Sequence, residues 1–99
     1  MQAVGTQAPM DFEWDEAKRL SNLAKHGLDF ADAYMLFLAF HVRIEARTTG
    51  NERRWLAIGT IDGKPITAVF TTRQSSIRLI SFRRSHHGER RKYRALHGR

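Results

Sequence analysis

The sequence predicts an α+β fold, a small antiparallel sheet with helices packed on one face. Three observations support this class. Apolar residues recur at helical spacing between residues 15 and 38, and they alternate at strand spacing between residues 41 and 84. Helix-forming residues return after Ser85. The expected order of elements is therefore β-α-α-β-β-β-β-α, with the four later strands joined by short turns into an antiparallel meander.

The first strand and the first two helices are predicted from alternation, capping residues and spacing. Residues 12–14 alternate as a short strand, and Asp15 can cap a helix because its carboxylate accepts free N–H groups of the first turn. Gly27 is expected to end that helix in the left-handed conformation. Asp29 is expected to cap a second helix. The apolar face of that helix would contain Phe30, Ala33, Tyr34, Phe37 and Leu38.

Four strands and a last helix are expected in the remaining sequence. The strands are predicted at residues 41–46, 53–61, 64–72 and 77–84. Asp62-Gly63 indicates a tight hairpin between the second and third of these. In the last strand, regular alternation would place Arg78 and Arg84 on one face and Arg83 on the other.

Composition bounds the organisation of the chain. With 99 residues a single domain is expected, and the absence of Cys excludes disulfides and thiolate metal sites. Residues 1–9 have no periodicity and are expected to be a disordered leader, so that Met10 could be the natural start. Residues 10–96 would form the domain and residues 97–99 a tail.

Localisation is expected to be cytoplasmic. The first residues lack the basic and apolar regions of a signal peptide. The longest apolar-rich run, Ala33 to Phe40, is too short to cross a bilayer. We therefore expect a soluble protein with no membrane partner.

The positive charge is concentrated in the last quarter of the chain. Residues 73–99 contain nine Lys/Arg and one carboxylate, whereas residues 1–72 carry a balance of −1. A one-sided basic segment attracts polyanions, so nucleic acid is the first expectation. An anionic membrane or an acidic protein partner is the alternative, as is a solvated charged surface.

The residue types in this region suit a ribonuclease site that needs no metal. Such a site requires a base for the ribose 2′-OH, cations for the phosphate and an acid for the leaving oxygen. Candidates for the base or acid are His26, His86, His87 and Glu89. Candidates for the cations are Arg73, Arg78, Arg83, Arg84 and Arg90.

Structural roles for the same residues remain open. Glu89 would then only balance neighbouring basic residues, and His26 would only complete the end of its helix. Adjacent histidines diverge on a helix, so His86 and His87 are expected to be exposed and not to bind a metal. A non-catalytic module that binds nucleic acid or a protein partner is the alternative function.

Three blocks of sequence resemble the BrnT family. They are FEWDEAKRLSNLAKHGLDF (residues 12–30), ERRWLAIGTIDGK (residues 52–64) and RLISFRRSHHGERRKY (residues 78–93). The family comprises toxins of type II toxin-antitoxin systems with a fold similar to RelE-type ribonucleases. The resemblance implies RNA cleavage without a metal or other cofactor, and arrest of translation.

The resemblance also implies partners and site residues. The partner would be a BrnA-like ribbon-helix-helix antitoxin, in a 2:2 heterotetramer that binds operator DNA. The catalytic residues would be His26, Arg78, Arg83, Arg84, Glu89 and Tyr93. The RNA-binding residues would be Arg53, Arg73, Arg90, Arg91 and Lys92.

Gly88 departs from the family pattern, which has a helix-forming residue at this position. Glycine inside a helix costs about 1 kcal/mol relative to alanine. The last helix could therefore begin near Gly88 and not near Ser85. In that case His86 and His87 would lie in the connecting loop.

Overall fold

The computed structural model describes residues 2–4, 11–48 and 50–97, which form an α+β protein as the sequence predicted. The strands are β1 (Gln2–Val4), β2 (Asp11–Glu13), β3 (His41–Glu45), β4 (Trp55–Ile61), β5 (Lys64–Arg73) and β6 (Ser76–Arg84). The helices are α1 (Glu16–His26), α2 (Tyr34–Leu38) and α3 (His87–His97), with a 3-10 turn at Phe30–Asp32.

The described strands form one mixed sheet in the order β1-β3-β4-β5-β6-β2. Strands β3 to β6 form the predicted antiparallel meander. Strand β2 instead lies parallel to β6, with Phe12 opposite Ile77. The predicted sheet was entirely antiparallel. This parallel pair was missed because no local turn joins two strands that are so distant in the chain.

Strand β1 lies within the segment that the sequence predicted to be a disordered leader. Gln2–Val4 pairs antiparallel with the outer edge of β3. Three residues carry too little periodicity to indicate a strand, and here the pairing partner supplies the backbone hydrogen bonds. Residues 1 and 5–10 lie outside the described residues, as do residues 98 and 99 of the expected tail, and α3 extends to His97.

Both predicted N-caps are present. The Asp15 carboxylate accepts a hydrogen bond from the Lys18 N–H at 3.1 Å and begins α1. Gly27 ends α1 with φ of 71°, the left-handed conformation expected there. Asp29 accepts from the Ala31 N–H at 2.9 Å, but it caps the 3-10 turn and not a long helix, so α2 has only five residues.

A β-bulge in β6 interrupts the regular alternation of its side chains. Val69 of β5 lies opposite Ser81, and the next residue, Phe70, lies opposite Leu79. Ile80 is therefore an extra residue in β6, without an opposite residue on β5. Side chains before and after Ile80 no longer follow one alternating pattern.

The bulge places Arg78 and Arg83 on the same face of the sheet. Their opposite residues on β5 are Thr71 and Thr67, which are four positions apart in a regular strand and share a face. Arg84 therefore points to the opposite face. The prediction that Arg78 shares a face with Arg84 is wrong, because the extra residue shifts the alternation by one.

Helices cover both faces of the sheet, so the prediction of helices on one face is wrong. On the first face, α2 and the 3-10 turn pack on a core that includes Phe30, Leu36, Phe37, Ala57, Ile66, Ala68, Phe70, Leu79 and Phe82. On the second face, Tyr93 of α3 packs against Val42 and Ile58. The adjacent residues Ala57 and Ile58 enter different cores because both faces of β4 are apolar.

The buried side chain of Asn22 fastens α1 to the edge of β6. Its Nδ2 donates to the carbonyl oxygens of Phe82 at 2.8 Å and Leu28 at 3.1 Å. Its Oδ1 accepts from the Phe82 N–H at 3.2 Å. The amide thus forms hydrogen bonds to the β6 backbone beyond Arg78, where the pairing with β2 ends. This attachment holds the middle of α1 beside β6.

Within residues 2–4, 11–48 and 50–97, no helix is both long and apolar enough to cross a membrane.

Candidate active site

Arg83 and Glu89 form a bidentate ion pair where β6 ends and α3 begins. Nη1 of Arg83 lies 2.9 Å from Oε1 of Glu89, and Nη2 lies 3.0 Å from Oε2. Both side chains are largely buried, with exposed fractions of 15% and 13%. A planar guanidinium held at both terminal nitrogens has little rotational freedom, so Arg83 is fixed in position.

The Glu89 carboxylate accepts two further hydrogen bonds. The Thr67 hydroxyl donates to Oε1 at 3.0 Å, and the His86 N–H donates to the same oxygen at 2.8 Å. Burial alone would raise the pKa of Glu89, but the hydrogen bonds from Arg83 and from the His86 N–H outweigh it and lower the pKa to about 2. The carboxylate is therefore ionised at neutral pH.

The bond from His86 also explains how α3 begins. Glu89 reaches back from the first turn to the N–H of the residue before the helix, which is the acidic half of a capping box. Helix α3 begins at His87, so Gly88 lies inside its first turn and not at its cap. Of the two histidines that the alternative start would put in the loop, only His86 precedes the helix.

His26 lies at the end of α1, beside β6. It lines an open groove of about 220 Å³ together with Lys18, Lys25, Ile80 and Ser81. Partial burial lowers the pKa of His26, and the positive charges of Lys25 and Arg83 lower it further. The imidazole is therefore uncharged at neutral pH.

Three arginines of β5 and β6 form an arginine row on the second face: Arg73, Arg78 and Arg83. Nη1 of Arg78 lies 3.2 Å from Oε1 of Glu13, and Nη1 of Arg73 lies 3.8 Å from the same oxygen. Arg73 is 58% exposed, so this end of the row is open to solvent. The row therefore contains two residues predicted to be catalytic, Arg78 and Arg83, and one predicted to bind RNA, Arg73.

The side chains of two predicted catalytic residues lie away from the Arg83–Glu89 pair, although the Arg84 carbonyl oxygen accepts a hydrogen bond from Nη1 of Arg83 at 3.2 Å. Arg84 is exposed on the first face. Tyr93 is 8% exposed and packs in the second core, with its ring centroid 6.0 Å from that of Phe40 and 4.9 Å from that of His97. Tyr93 shares the sheet-facing side of α3 with Glu89, as its spacing predicted, but it supports the helix there.

The basic residues of α3 divide between two environments. Nη1 of Arg90 donates to the Ser85 carbonyl oxygen at 2.8 Å, which braces the link between β6 and α3. Arg91 and Lys92 are exposed and line a shallow surface with Gly88 and Ala95. These two side chains add positive charge beside the site without joining the arginine row.

Arg53 lies at the other end of the sheet. Its guanidinium pairs with Glu45 at 2.9 Å, and its Cζ atom lies 5.4 Å from the centroid of the Trp55 ring. Arg53 therefore belongs to a separate cleft and not to the Arg83–Glu89 site.

Sequence reasoning missed three polar residues that organise the site. Thr67, Ser85 and Asn22 are all buried, and the hydroxyls of Thr67 and Ser85 lie 2.8 Å apart. For Thr67 a signal existed, because Thr67 and Thr71 occupy alternate positions in a strand whose other face is apolar. Asn22 had no such signal, since its partners on β6 lie far away in the sequence.

Within the part of the chain that the structure describes, no three His, Asp or Glu side chains are grouped so as to hold a metal ion.

The fold and this site define a class of small basic α+β proteins in which a buried arginine–glutamate pair and a groove lined by a histidine lie along the last strand of the sheet. A protein-family model described as "Ribonuclease toxin, BrnT, of type II toxin-antitoxin system" matches residues 14–89, about three quarters of the chain. The chain therefore belongs to the BrnT family of ribonuclease toxins. Membership of a type II system implies a protein antitoxin as partner. A comparison with curated proteins gives no match.

Proposed function

We propose that this protein is a metal-independent endoribonuclease that arrests translation and is neutralised by its antitoxin. The observation that carries the proposal is Arg83, held through both terminal nitrogens by Glu89 at the end of β6, with His26 lining a groove along the same strand. A fixed cation next to a neutral base suits cleavage of a ribose phosphate chain. The ribonuclease activity of the family supports the same reaction class.

In this proposal His26 is the general base. Its lowered pKa leaves the imidazole free to take the proton of the ribose 2′-OH at neutral pH. The 2′-oxygen then attacks the adjacent phosphorus, forming a new P–O2′ bond while the P–O5′ bond breaks. The products are a 2′,3′-cyclic phosphate and a free 5′-OH end.

Arg83 stabilises the charge that develops on the phosphate oxygens, and the other arginines of the row hold the neighbouring phosphates. Glu89 acts as a positioning residue and not as the base. A carboxyl with a pKa of about 2 is a weak base, and its oxygens already accept bonds from Arg83, Thr67 and the His86 N–H. Its task is to hold Arg83 in the geometry that the transition state requires.

The His86 imidazole is the proposed general acid. Its Nδ1 lies 3.8 Å from Oε2 of Glu89, so the carboxylate brings this ring close to Arg83. The ring is 68% exposed and can reach a bound substrate. In its imidazolium form it gives the proton that the leaving 5′-oxygen needs, which balances the proton taken by His26.

Cleavage of a defined RNA by the purified protein tests the reaction. We expect cleavage to persist with excess chelator. A linkage whose attacking ribose carries hydrogen in place of its 2′-OH should not be cleaved. The terminal products should carry a 2′,3′-cyclic phosphate and a 5′-OH. Loss of cleavage on chelation would refute the metal-free mechanism, and cleavage of the 2′-deoxy substrate would refute attack by the 2′-oxygen.

Variants of the histidines test the assignment of the base. His26→Ala should lower the single-turnover rate roughly 100- to 10,000-fold. His87→Ala is the matched control, since this exposed histidine begins α3 and should be dispensable. In the wild type, the rate should fall with decreasing pH through a pKa below the ordinary histidine value. If the His26 variant still shows this fall in rate with decreasing pH, another group must be the base.

The antitoxin is proposed to be a BrnA-like ribbon-helix-helix protein in a 2:2 heterotetramer that binds operator DNA. An antitoxin that covers the arginine row would block the substrate phosphates, and an acidic segment would complement their charge. Membership of a type II toxin family supports a protein partner of this kind. Light scattering of the purified pair and DNA-binding measurements test the stoichiometry and the operator binding.

Induction in bacteria tests the biological role. Expression alone should stop growth, reduce protein synthesis and fragment RNA, and co-expression of the antitoxin should restore all three. Arg83→Ala should remove toxicity while leaving antitoxin binding measurable. If the wild type binds RNA and the antitoxin but cleaves nothing, the protein is a non-catalytic binding module.

A further inference from the structure

Two adjoining cavities lie at the end of the sheet where β4 begins and β5 ends. The larger, of about 400 Å³, is lined by residues 51–53, 55 and 71–73. The smaller, of about 150 Å³, is lined by Arg43, Trp55, Phe70 and Thr72. Trp55 and Thr72 line both cavities, so together they form one cleft with an indole ring in its wall. We call it the Trp55 cleft.

Arg43 is held in this cleft with part of its hydrogen-bonding capacity unused by the residues that the structure describes. Its Nε donates to the Nε2 atom of the buried His41 at 3.3 Å, and its Cζ atom lies 5.3 Å from the centroid of the Phe70 ring. Nδ1 of His41 lies 3.0 Å from the Ala39 carbonyl oxygen, which assigns the proton to Nδ1 and the acceptor role to Nε2. Among the described residues, neither terminal nitrogen of Arg43 has a hydrogen-bond or carboxylate partner.

We propose that the Trp55 cleft binds a nucleobase of the RNA substrate, with guanine preferred. The proposal rests on the ribonuclease function proposed above. The two terminal nitrogens of Arg43 match the O6 and N7 acceptors of guanine, the commonest bidentate contact of arginine with a base. The indole ring of Trp55 carries the Arg53 guanidinium, with Cζ 5.4 Å from the ring centroid, and a base would stack on the ring in its place, which is the usual way that an unpaired base is held.

Positively charged side chains around the cleft could contact the phosphates on either side of the base. Arg53 and Arg73 line the larger cavity and are 63% and 58% exposed. A carboxylate of a protein partner would also satisfy Arg43, but it would leave the aromatic wall without a flat group to cover. Arg43 has terminal nitrogens without a partner among the described residues, and the exposed Arg53 and Arg73, each paired with one carboxylate, add positive charge to the lining. Together with the aromatic rings, these features favour a nucleotide.

The larger cavity reaches the arginine row of the second face at Arg73, whereas Arg43 and Trp55 lie on the first face of the sheet. Arg73 belongs to both the row and the cleft, and Arg83 lies opposite Thr67 at the other end of the row. Thr67 and Arg73 are six residues apart on β5, which corresponds to about 20 Å along an extended strand. The recognised guanine would thus lie several nucleotides from the bond that is cut, and the cleft would select the RNA sequence at a distance.

Fluorescence of Trp55 measures binding in the cleft without depending on cleavage. The chain has two tryptophans, so Trp14→Phe leaves Trp55 as the only indole. We expect guanosine monophosphate to quench this emission at lower concentration than the adenosine, cytidine and uridine monophosphates. In the same background Arg43→Met should reduce the preference for guanosine roughly 5- to 150-fold. Arg47→Met, which changes an exposed arginine that does not line the cleft, should leave it unchanged.

The possible outcomes distinguish failure of the base-binding proposal from failure of the ribonuclease proposal. Equal quenching by all four nucleotides would refute recognition by Arg43. Absence of quenching in a protein that still cleaves RNA would refute the subsite and leave the ribonuclease proposal intact. Quenching by the antitoxin but by no nucleotide would make the cleft a protein-docking site and overturn the proposal. Nucleotide binding without any RNA cleavage would support the cleft while the proposed function fails.

Discussion

Replacing Glu89 by glutamine removes the negative charge of the buried pair while keeping the shape of the side chain. The amide oxygen can still accept from Thr67 and the His86 N–H. The NH₂ group of the glutamine, however, would lie against Nη2 of Arg83. Both groups are hydrogen-bond donors, so this hydrogen bond is lost. The variant therefore isolates what the charge and the second hydrogen bond to Arg83 contribute.

Two independent routes give the expected loss of stability. Removing one partner of a buried pair costs 3–5 kcal/mol, and exposed fractions of 13–15% place this pair near the lower end, at about 3 kcal/mol. The pKa of Glu89 falls from 4.5 to about 2, which corresponds to roughly 3 kcal/mol. We therefore expect Glu89→Gln to be about 3 kcal/mol less stable at pH 7.

Urea unfolding at several pH values tests this number and its sign. A carboxyl with a lowered pKa stabilises the fold fully above its unfolded value of 4.5, and that stability is lost as the pH falls towards 2. The difference between the variant and the wild type should shrink to about half near pH 3 and nearly vanish at pH 2.

Glu45→Gln is the matched control. Its partner is Arg53, the two side chains are 44% and 63% exposed, and the expected change is below about 1 kcal/mol. A difference for Glu89→Gln that is as small as this control, or one that does not change with pH, would refute the description of the Arg83–Glu89 pair.

Glycine and asparagine variants test the supports of the site by thermal and urea unfolding. Gly27→Ala should destabilise by about 1 kcal/mol because φ is 71°, whereas Gly88→Ala, with open space in the first turn of α3, should stabilise by up to about 1 kcal/mol. Equal effects would contradict the assigned helix ends. Asn22→Ala should cost at least about 2 kcal/mol, because both backbone groups of Phe82 lose a buried partner. The exposed control Asn51→Ala should change stability by less than about 0.5 kcal/mol, and a similarly small effect at Asn22 would contradict its role.

Local features of the fold could be predicted from the sequence because their causes are local. Asp15 and Gly27 bound α1, and the Asp62-Gly63 turn joins β4 to β5, as expected from capping and turn chemistry. The parallel pairing of β2 with β6 and the second core under α3 depend on contacts between distant segments. Periodicity carries no information about such contacts.

The candidate site was only partly predictable for the same reason. Composition pointed to Arg83, Glu89 and His26, but alternation put Arg78 and Arg83 on opposite faces. The bulge at Ile80 reverses that arrangement, and a single extra residue leaves no mark on hydrophobic spacing. The saturation of the Glu89 carboxylate likewise depends on Thr67, which only the register of the sheet brings into contact.

The Asn22 amide has a further consequence for the behaviour of β6. Beyond Arg78, the outer backbone edge of this strand has no strand partner among the described residues, and Asn22 occupies its Phe82 peptide groups. An open edge is a template for pairing with another chain. Partial unfolding that detaches α1 would uncover this edge. The resulting species would self-associate through β6 before the rest of the sheet unfolds.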